Sequence, residues 1–181
     1  NPDRTVYADI RFPAAAAPAY VNTQTFRKRS GLVIAWAPAA AEDGRPETRQ
    51  YVWRDNFCER RDFAVGQCPS GRGHQGQDIR GVTCEPGPRK RDCPANRDNV
   101  VAVRDGMILR ESWNDSFFLV TNAPGERLRF RYLHMHPRRL DDDGISSGRM
   151  VQAGERLGAI GNYNRRPGMT TTHLHFEIQV P

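Results

Sequence analysis

From Tyr51 onward the chain runs as short β-prone stretches cut by turn residues. They are Val100–Val103, Met107–Leu109, Phe117–Thr121, Leu128–Leu133, Leu157–Ile160 and Leu174–Val180. Runs of this length, rich in β-branched and aromatic residues, predict strands, and no long 3.6-residue apolar period competes with them. Asp105-Gly106 carries a hairpin signal between the first two runs. Gly154, Gly158 and Gly161 punctuate the fifth run, and Asp141 to Gly148 reads as a polar connection. Residues 1–50 differ: Val6–Phe12 and Leu32–Trp36 are candidate strands, separated by an Ala/Pro run and followed by a polar stretch. The pattern predicts a mainly β fold, a small antiparallel sheet or sandwich core with long loops. Its parts are an extended lead-in over 1–50, packed on or beside the core, and a main domain over 51–181.

With 181 residues, 16 Gly and 13 Pro, one loop-rich domain of ordinary size is the expectation. No stretch approaches the roughly 18–20 apolar residues that span a bilayer, and Asn1 opens no charged-then-apolar leader. The net charge of +6 comes almost wholly from arginine, Lys28 and Lys90 being the only lysines. Such a balance favours an anionic partner. Nucleic acid is not indicated, because no dense basic run is interleaved with aromatics, and the Arg27-Lys28-Arg29 cluster reads as a solvated loop.

Cys58, Cys68, Cys84 and Cys93 are even in number and confined to one stretch. Zinc-binding cysteine pairs usually sit two to four residues apart, and these gaps are wider. Two disulfides formed in an oxidising compartment are expected, Cys58 with Cys68 and Cys84 with Cys93, each closing a short local loop. The second pins a long insertion, Thr83 to Asn99, between two core strands.

All five histidines fall in three short motifs at the edges of predicted strands: His74-Gln75-Gly76-Gln77-Asp78, Tyr132-Leu133-His134-Met135-His136 and His173-Leu174-His175-Phe176-Glu177. Residues two apart in a strand share a face, so His173 and His175 point together while Leu174 and Phe176 turn to the packed side. One of the pair can bind a metal while its neighbour handles a proton, and spacing alone leaves open the alternative in which both bind it. Gly76 lets the backbone bend so that His74 and Asp78 face one centre. With one histidine of the third motif they make a set of two nitrogens and one oxygen, leaving a fourth position open as a catalytic zinc site requires.

These motifs resemble those of the M23 zinc endopeptidases, also called LytM-like or lysostaphin-like. His74, Gly76 and Asp78 meet the family's H-x-G-x-D pattern, and His173 and His175 meet its H-x-H. Asn99 to Gly106 and Val151 to Gly161 resemble its flanking strands. The resemblance implies one Zn2+ per chain held by His74, Asp78 and His175, with His173 acting on the attacking water's proton. It also implies that His134 steadies the tetrahedral intermediate or shares that proton. His136 is read as a local structural or rim residue, although strand alternation would put it on the face of His134. Glu177 orients or brackets its strand and is not the base. Gly168 to Thr172 departs from the family's small-residue turn, which leaves loop shape and substrate choice open, and Tyr163, Asn164, Arg165 and Arg166 are candidates for the cleft rim.

The implied activity is hydrolysis of peptide bonds in the stems or cross-bridges of bacterial peptidoglycan, by a periplasmic or secreted monomer. The alternatives are a non-catalytic regulator of other wall hydrolases and a zinc peptidase acting on protein substrates.

Overall fold

The computed structural model describes residues 9–16, 19–21, 56–59, 61–84, 93–121 and 126–180. The strands are β1 (Tyr20–Val21), β2 (Gln77–Arg80), β3 (Asn99–Val101), β4 (Gly106–Arg110), β5 (Ser116–Thr121) and β6 (Arg129–Leu133). After one short helix, α1 (Pro137–Asp142), come β7 (Met150–Val151), β8 (Arg156–Ala159), β9 (Tyr163–Asn164), β10 (Arg166–Pro167) and β11 (Leu174–Gln179). Seven strands form one antiparallel sheet in the order β1-β2-β11-β6-β5-β4-β7. Two small antiparallel pairs, β3 with β8 and β9 with β10, complete the described strands. The mainly β expectation holds.

Alternation builds the sheet's two faces. In β6, Phe130 and Tyr132 are fully buried while Arg129, Arg131 and Leu133 are only partly so. Ile79, Ile108, Phe117, Leu119, Leu174 and Phe176 join Phe130 and Tyr132 on the core side. The β3–β8 pair lies over them with Val100, Ala102, Val103, Leu157 and Ile160, and Met135, Leu140 and Ile145 fill the end beside α1. Tyr132 bolts the layers together: its hydroxyl donates to the Val101 carbonyl at 3.2 Å and accepts from Val103 N–H at 3.0 Å. The other face of the sheet carries the reactive side chains, so β11 is buried on both sides.

The strands expected from Val100 to Val180 all form, with shifted ends. Asp105-Gly106 is not a hairpin turn. β3 pairs with β8, whereas β4 pairs with β5 and β7, so the chain passes between sheets here. Glycine is needed at 106 because an added Cβ would stand 2.4 Å from the Val120 carbonyl oxygen. Asp9–Phe12, the described part of the first candidate strand, is irregular. The lead-in instead runs along β3, through Arg11 N–H to the Val103 carbonyl (2.9 Å), Val101 N–H to the Pro13 carbonyl (2.9 Å) and Ala15 N–H to the Asn99 carbonyl (2.9 Å). Leu32–Trp36 and Arg27-Lys28-Arg29 lie outside the described residues. Both expected disulfides, Cys58–Cys68 and Cys84–Cys93, are present.

Candidate metal centre

Register brings the first and third motifs together, because β2 and β11 are neighbours with Asp78 opposite His175. His74 precedes β2 and is held by two backbone bonds, its N–H to the Glu59 carbonyl (2.8 Å) and its carbonyl from Cys58 N–H (3.0 Å). The chain bends at Gly76 as expected, but its φ is not positive. Glycine is required by proximity, since an added Cβ would sit 2.3 Å from the Phe176 carbonyl oxygen and force β2 off β11.

Three ligand atoms then meet in a buried cluster. His74 Nε2 lies 3.0 Å from His175 Nδ1 and 3.2 Å from Asp78 Oδ1, and His175 Nδ1 lies 3.0 Å from that same oxygen. These three residues are the group among the described residues able to hold a metal ion. Tetrahedral zinc with bonds near 2.1 Å separates its ligand atoms by about 3.4 Å, so the cluster fits one ion after a small expansion. Two imidazoles and a carboxylate are also a donor set zinc accepts. His173 Nε2 stands slightly farther from Asp78 Oδ1, at 3.4 Å, and outside the three-ligand group.

Each ring is fixed by what its other nitrogen meets. A carbonyl only accepts, so the nitrogen facing it carries the proton and the opposite one keeps its lone pair. His74 Nδ1 donates to the Asn56 carbonyl (2.8 Å), His134 Nδ1 to the Tyr163 carbonyl (2.8 Å) and His173 Nδ1 to the Thr171 carbonyl (2.7 Å). Nε2 is thereby the nitrogen that keeps its lone pair in all three. His134 and His173 pack edge to face with centroids 4.7 Å apart.

Burial pushes His173 well below the ordinary histidine value, with Arg80 adding to the effect while Asp78 opposes it. Burial also takes His134 down to about 4, assisted by the charge of His175. Burial would lower His175 as well, but hydrogen bonds to Asp78 and Glu177 raise it to about 8. For Asp78, burial favours the neutral acid, but the surrounding imidazoles of His173, His175 and His74 outweigh it and hold the carboxyl far below the usual range.

His136 does not join the set. β6 ends at Leu133 and His134 has a φ of 76°, which breaks the alternation. His136 instead occupies the N-cap position of α1, without a side-chain capping bond, and packs its ring on Tyr163 with centroids 5.4 Å apart. A cleft of about 670 Å³ opens over the histidine–aspartate cluster, rimmed by Phe63, Trp113, Asn164, Arg165 and Met169. Arg165 stacks its guanidinium 4.7 Å from the centre of the Trp113 ring.

Two supports were invisible in the motifs. Asn56 accepts from Asp78 N–H through Oδ1 (3.1 Å) while its carbonyl orients His74. Arg80, fully buried, donates to the Thr172 carbonyl and to Thr171 Oγ1 (3.2 Å), fixing the turn that delivers His173.

The model of peptidase family M23 matches residues 90–181, half of the chain. Among solved structures, the catalytic domain of the antimicrobial peptidase lysostaphin from Staphylococcus simulans is 22% identical. It covers 61% of this chain and 70% of its own, with a TM-score of 0.43. Helicobacter pylori Csd3 is 20% identical over 60% of this chain and 24% of its own, with a TM-score of 0.40. A chain of the SpoIIQ-SpoIIIAH pore forming complex is 11% identical over 94% of this chain and 83% of its own, with a TM-score of 0.51. No curated protein matches the sequence.

Proposed function

Because the chain belongs to peptidase family M23, we propose that it is a zinc-dependent endopeptidase that hydrolyses peptide bonds in the stems or cross-bridges of bacterial peptidoglycan. The observation that carries this reading is the triangle of His74 Nε2, Asp78 Oδ1 and His175 Nδ1, with sides of 3.0–3.2 Å, beside two neutral imidazoles. Residues 51–181 are taken as the peptidase unit and 1–50 as a lead-in, of which Arg11, Pro13 and Ala15 bond to the backbone of residues 99–103.

The chemistry zinc supplies when bound by these three residues is Lewis-acid activation of water and of the scissile carbonyl near neutral pH. His173, its Nδ1 proton committed to the Thr171 carbonyl, takes the water's proton at Nε2 and returns it to the leaving amine, a step typically worth about 10²–10⁴-fold. His134 stands beside it with Nε2 free, to steady the developing oxyanion or share the proton. The peptidoglycan substrate is supported by the family resemblance and by the net charge of +6, which suits carboxylate-bearing stem peptides. The two disulfides suit an oxidising compartment, so a periplasmic or secreted monomer is proposed. No helix among the described residues is long and apolar enough to cross a membrane.

The test is mass spectrometry of fragments released from purified sacculi by the zinc-loaded protein, with His173→Ala and chelator-treated samples alongside. New amine and carboxyl ends made by the parent alone are expected, and they name the bond. His173→Ala is expected to keep zinc and to lose at least 100-fold in turnover. Stimulation of a separate wall hydrolase by a parent protein that itself releases nothing would replace this reading with the regulatory one.

A further inference from the structure

Three of the four site histidines are oriented by neutral backbone carbonyls, and His175 is the exception. Its Nε2 meets the carboxylate Oε1 of Glu177 at 2.8 Å. Glu177 is only 2% exposed, and its own position is over-determined. Arg131 lies directly opposite on β6 and donates to Glu177 Oε1 through Nη1 at 3.1 Å. The rest of that guanidinium grips Glu111, Nε to Oε2 at 2.7 Å and Nη2 to Oε1 at 3.1 Å. The second oxygen of Glu177 accepts from Gln179 Nε2. A continuous chain therefore runs from Glu111 through Arg131 and Glu177 to His175, and ends 3.0 Å from Asp78.

A buried ion pair of this kind is a poor way to gain stability, since desolvation offsets most of the attraction. Nor is charge needed to orient an imidazole, as the other three rings show. What the carboxylate adds over a carbonyl is a full negative charge behind the ring, which increases electron density at the nitrogen facing the cluster. We propose that Glu177, clamped by Arg131 and Glu111, is a positioning residue that fixes His175 with its proton on Nε2 and strengthens Nδ1 as a metal ligand. The inference rests on the zinc reading above, and on hydrogen-bond geometry throughout.

The experiment measures zinc affinity of the full chain by competition with a chromophoric chelator, for the parent, Glu177→Ala and Glu177→Gln. Thermal stability of each metal-free protein and the visible spectrum of each cobalt(II)-loaded protein are recorded in parallel. Glu177→Ala is expected to weaken zinc binding about 10–100-fold and to shift the cobalt bands. Glu177→Gln keeps an acceptor for Nε2–H without the charge, and is expected to fall between the two. Should Glu177→Ala fail to fold, Glu177→Gln carries the test alone. Parent-like zinc affinity in the variants, with only metal-free stability lowered, would reduce Glu177 to a structural ion-pair partner and overturn the inference while leaving the zinc reading intact. A parent that binds no zinc would overturn both.

Discussion

At the scale of single residues, opposed proton affinities within one cluster make the metal-free protein sensitive to pH on both sides of neutrality. His134 is depressed to about 4 by burial, so between its unfolded value near 6.5 and about 4 the unfolded chain binds the extra proton. Stability is therefore lost as pH falls through that window, and His173 acts in the same direction. His175 is raised to about 8, so its contribution is present below about 6.5 and is lost as pH rises through 8. Urea denaturation of the metal-free protein is expected to show a maximum near pH 6.5, and a flat profile between pH 4 and 8 would contradict this. If zinc binds as proposed it must displace the His175 proton, so affinity is expected to rise about tenfold per pH unit up to about 8 and then level off. Titration calorimetry in buffers of different ionisation enthalpy would count the released proton. Four of the five histidines and Asp78 were readable as a cluster because chemistry-bearing side chains concentrate in three motifs. Their orienting carbonyls on Asn56, Thr171 and Tyr163 were not, since every residue type offers a carbonyl and only the fold says which one arrives.

The elements place these residues by close backbone approach, and two glycines mark where. Gly76 lets β2 touch β11, whereas at Gly161 an added Cβ would stand 2.2 Å from the His134 carbonyl oxygen. Gly161 also bridges to His173, whose N–H donates to its carbonyl at 3.0 Å. Each site of overpacking costs roughly 1–3 kcal/mol, but the functional readouts should separate. Gly76→Ala is expected to weaken zinc binding, because it parts His74 and Asp78 from His175. Gly161→Ala is expected to retain zinc and lose turnover, because it moves His134 and His173 relative to each other. Parallel zinc and sacculus-digestion assays on the two variants would check this, and identical profiles would count against it. Alternation along each strand was legible, as Phe130 and Tyr132 against Arg129 and Arg131 show. Pairing was not: Asp105-Gly106 has the residues of a hairpin, yet long-range pairing of β3 with β8 overrides that local signal. His136, read as a local structural or rim residue, is kept off the face of His134 because the positive φ at His134 ends the alternation without any glycine to announce it.

Across the whole molecule, each disulfide braces a different half of the site. Cys58–Cys68 encloses the loop whose Cys58 and Glu59 backbone groups hold His74, and it packs so closely on Gly73 that an added Cβ would lie 2.9 Å from Cys68 Sγ. Cys84–Cys93 sits on the far side, where the Cys93 carbonyl accepts from Thr172 Oγ1 at 2.8 Å, one residue before His173. Each bond closes a short loop and is worth about 2–3 kcal/mol through restriction of the unfolded chain. The double variants Cys58→Ser/Cys68→Ser and Cys84→Ser/Cys93→Ser should therefore lose similar amounts of stability in urea. Their functional losses should differ, because under the proposed mechanism the first frees a ligand and the second frees the turn that carries the base. The first is expected to weaken zinc binding and, through it, turnover. The second is expected to bind zinc as the parent does while turning over more slowly even when saturated with metal. If both pairs change zinc affinity equally, the disulfides act only through global stability, and the division of the site into a ligand half and a base half is wrong.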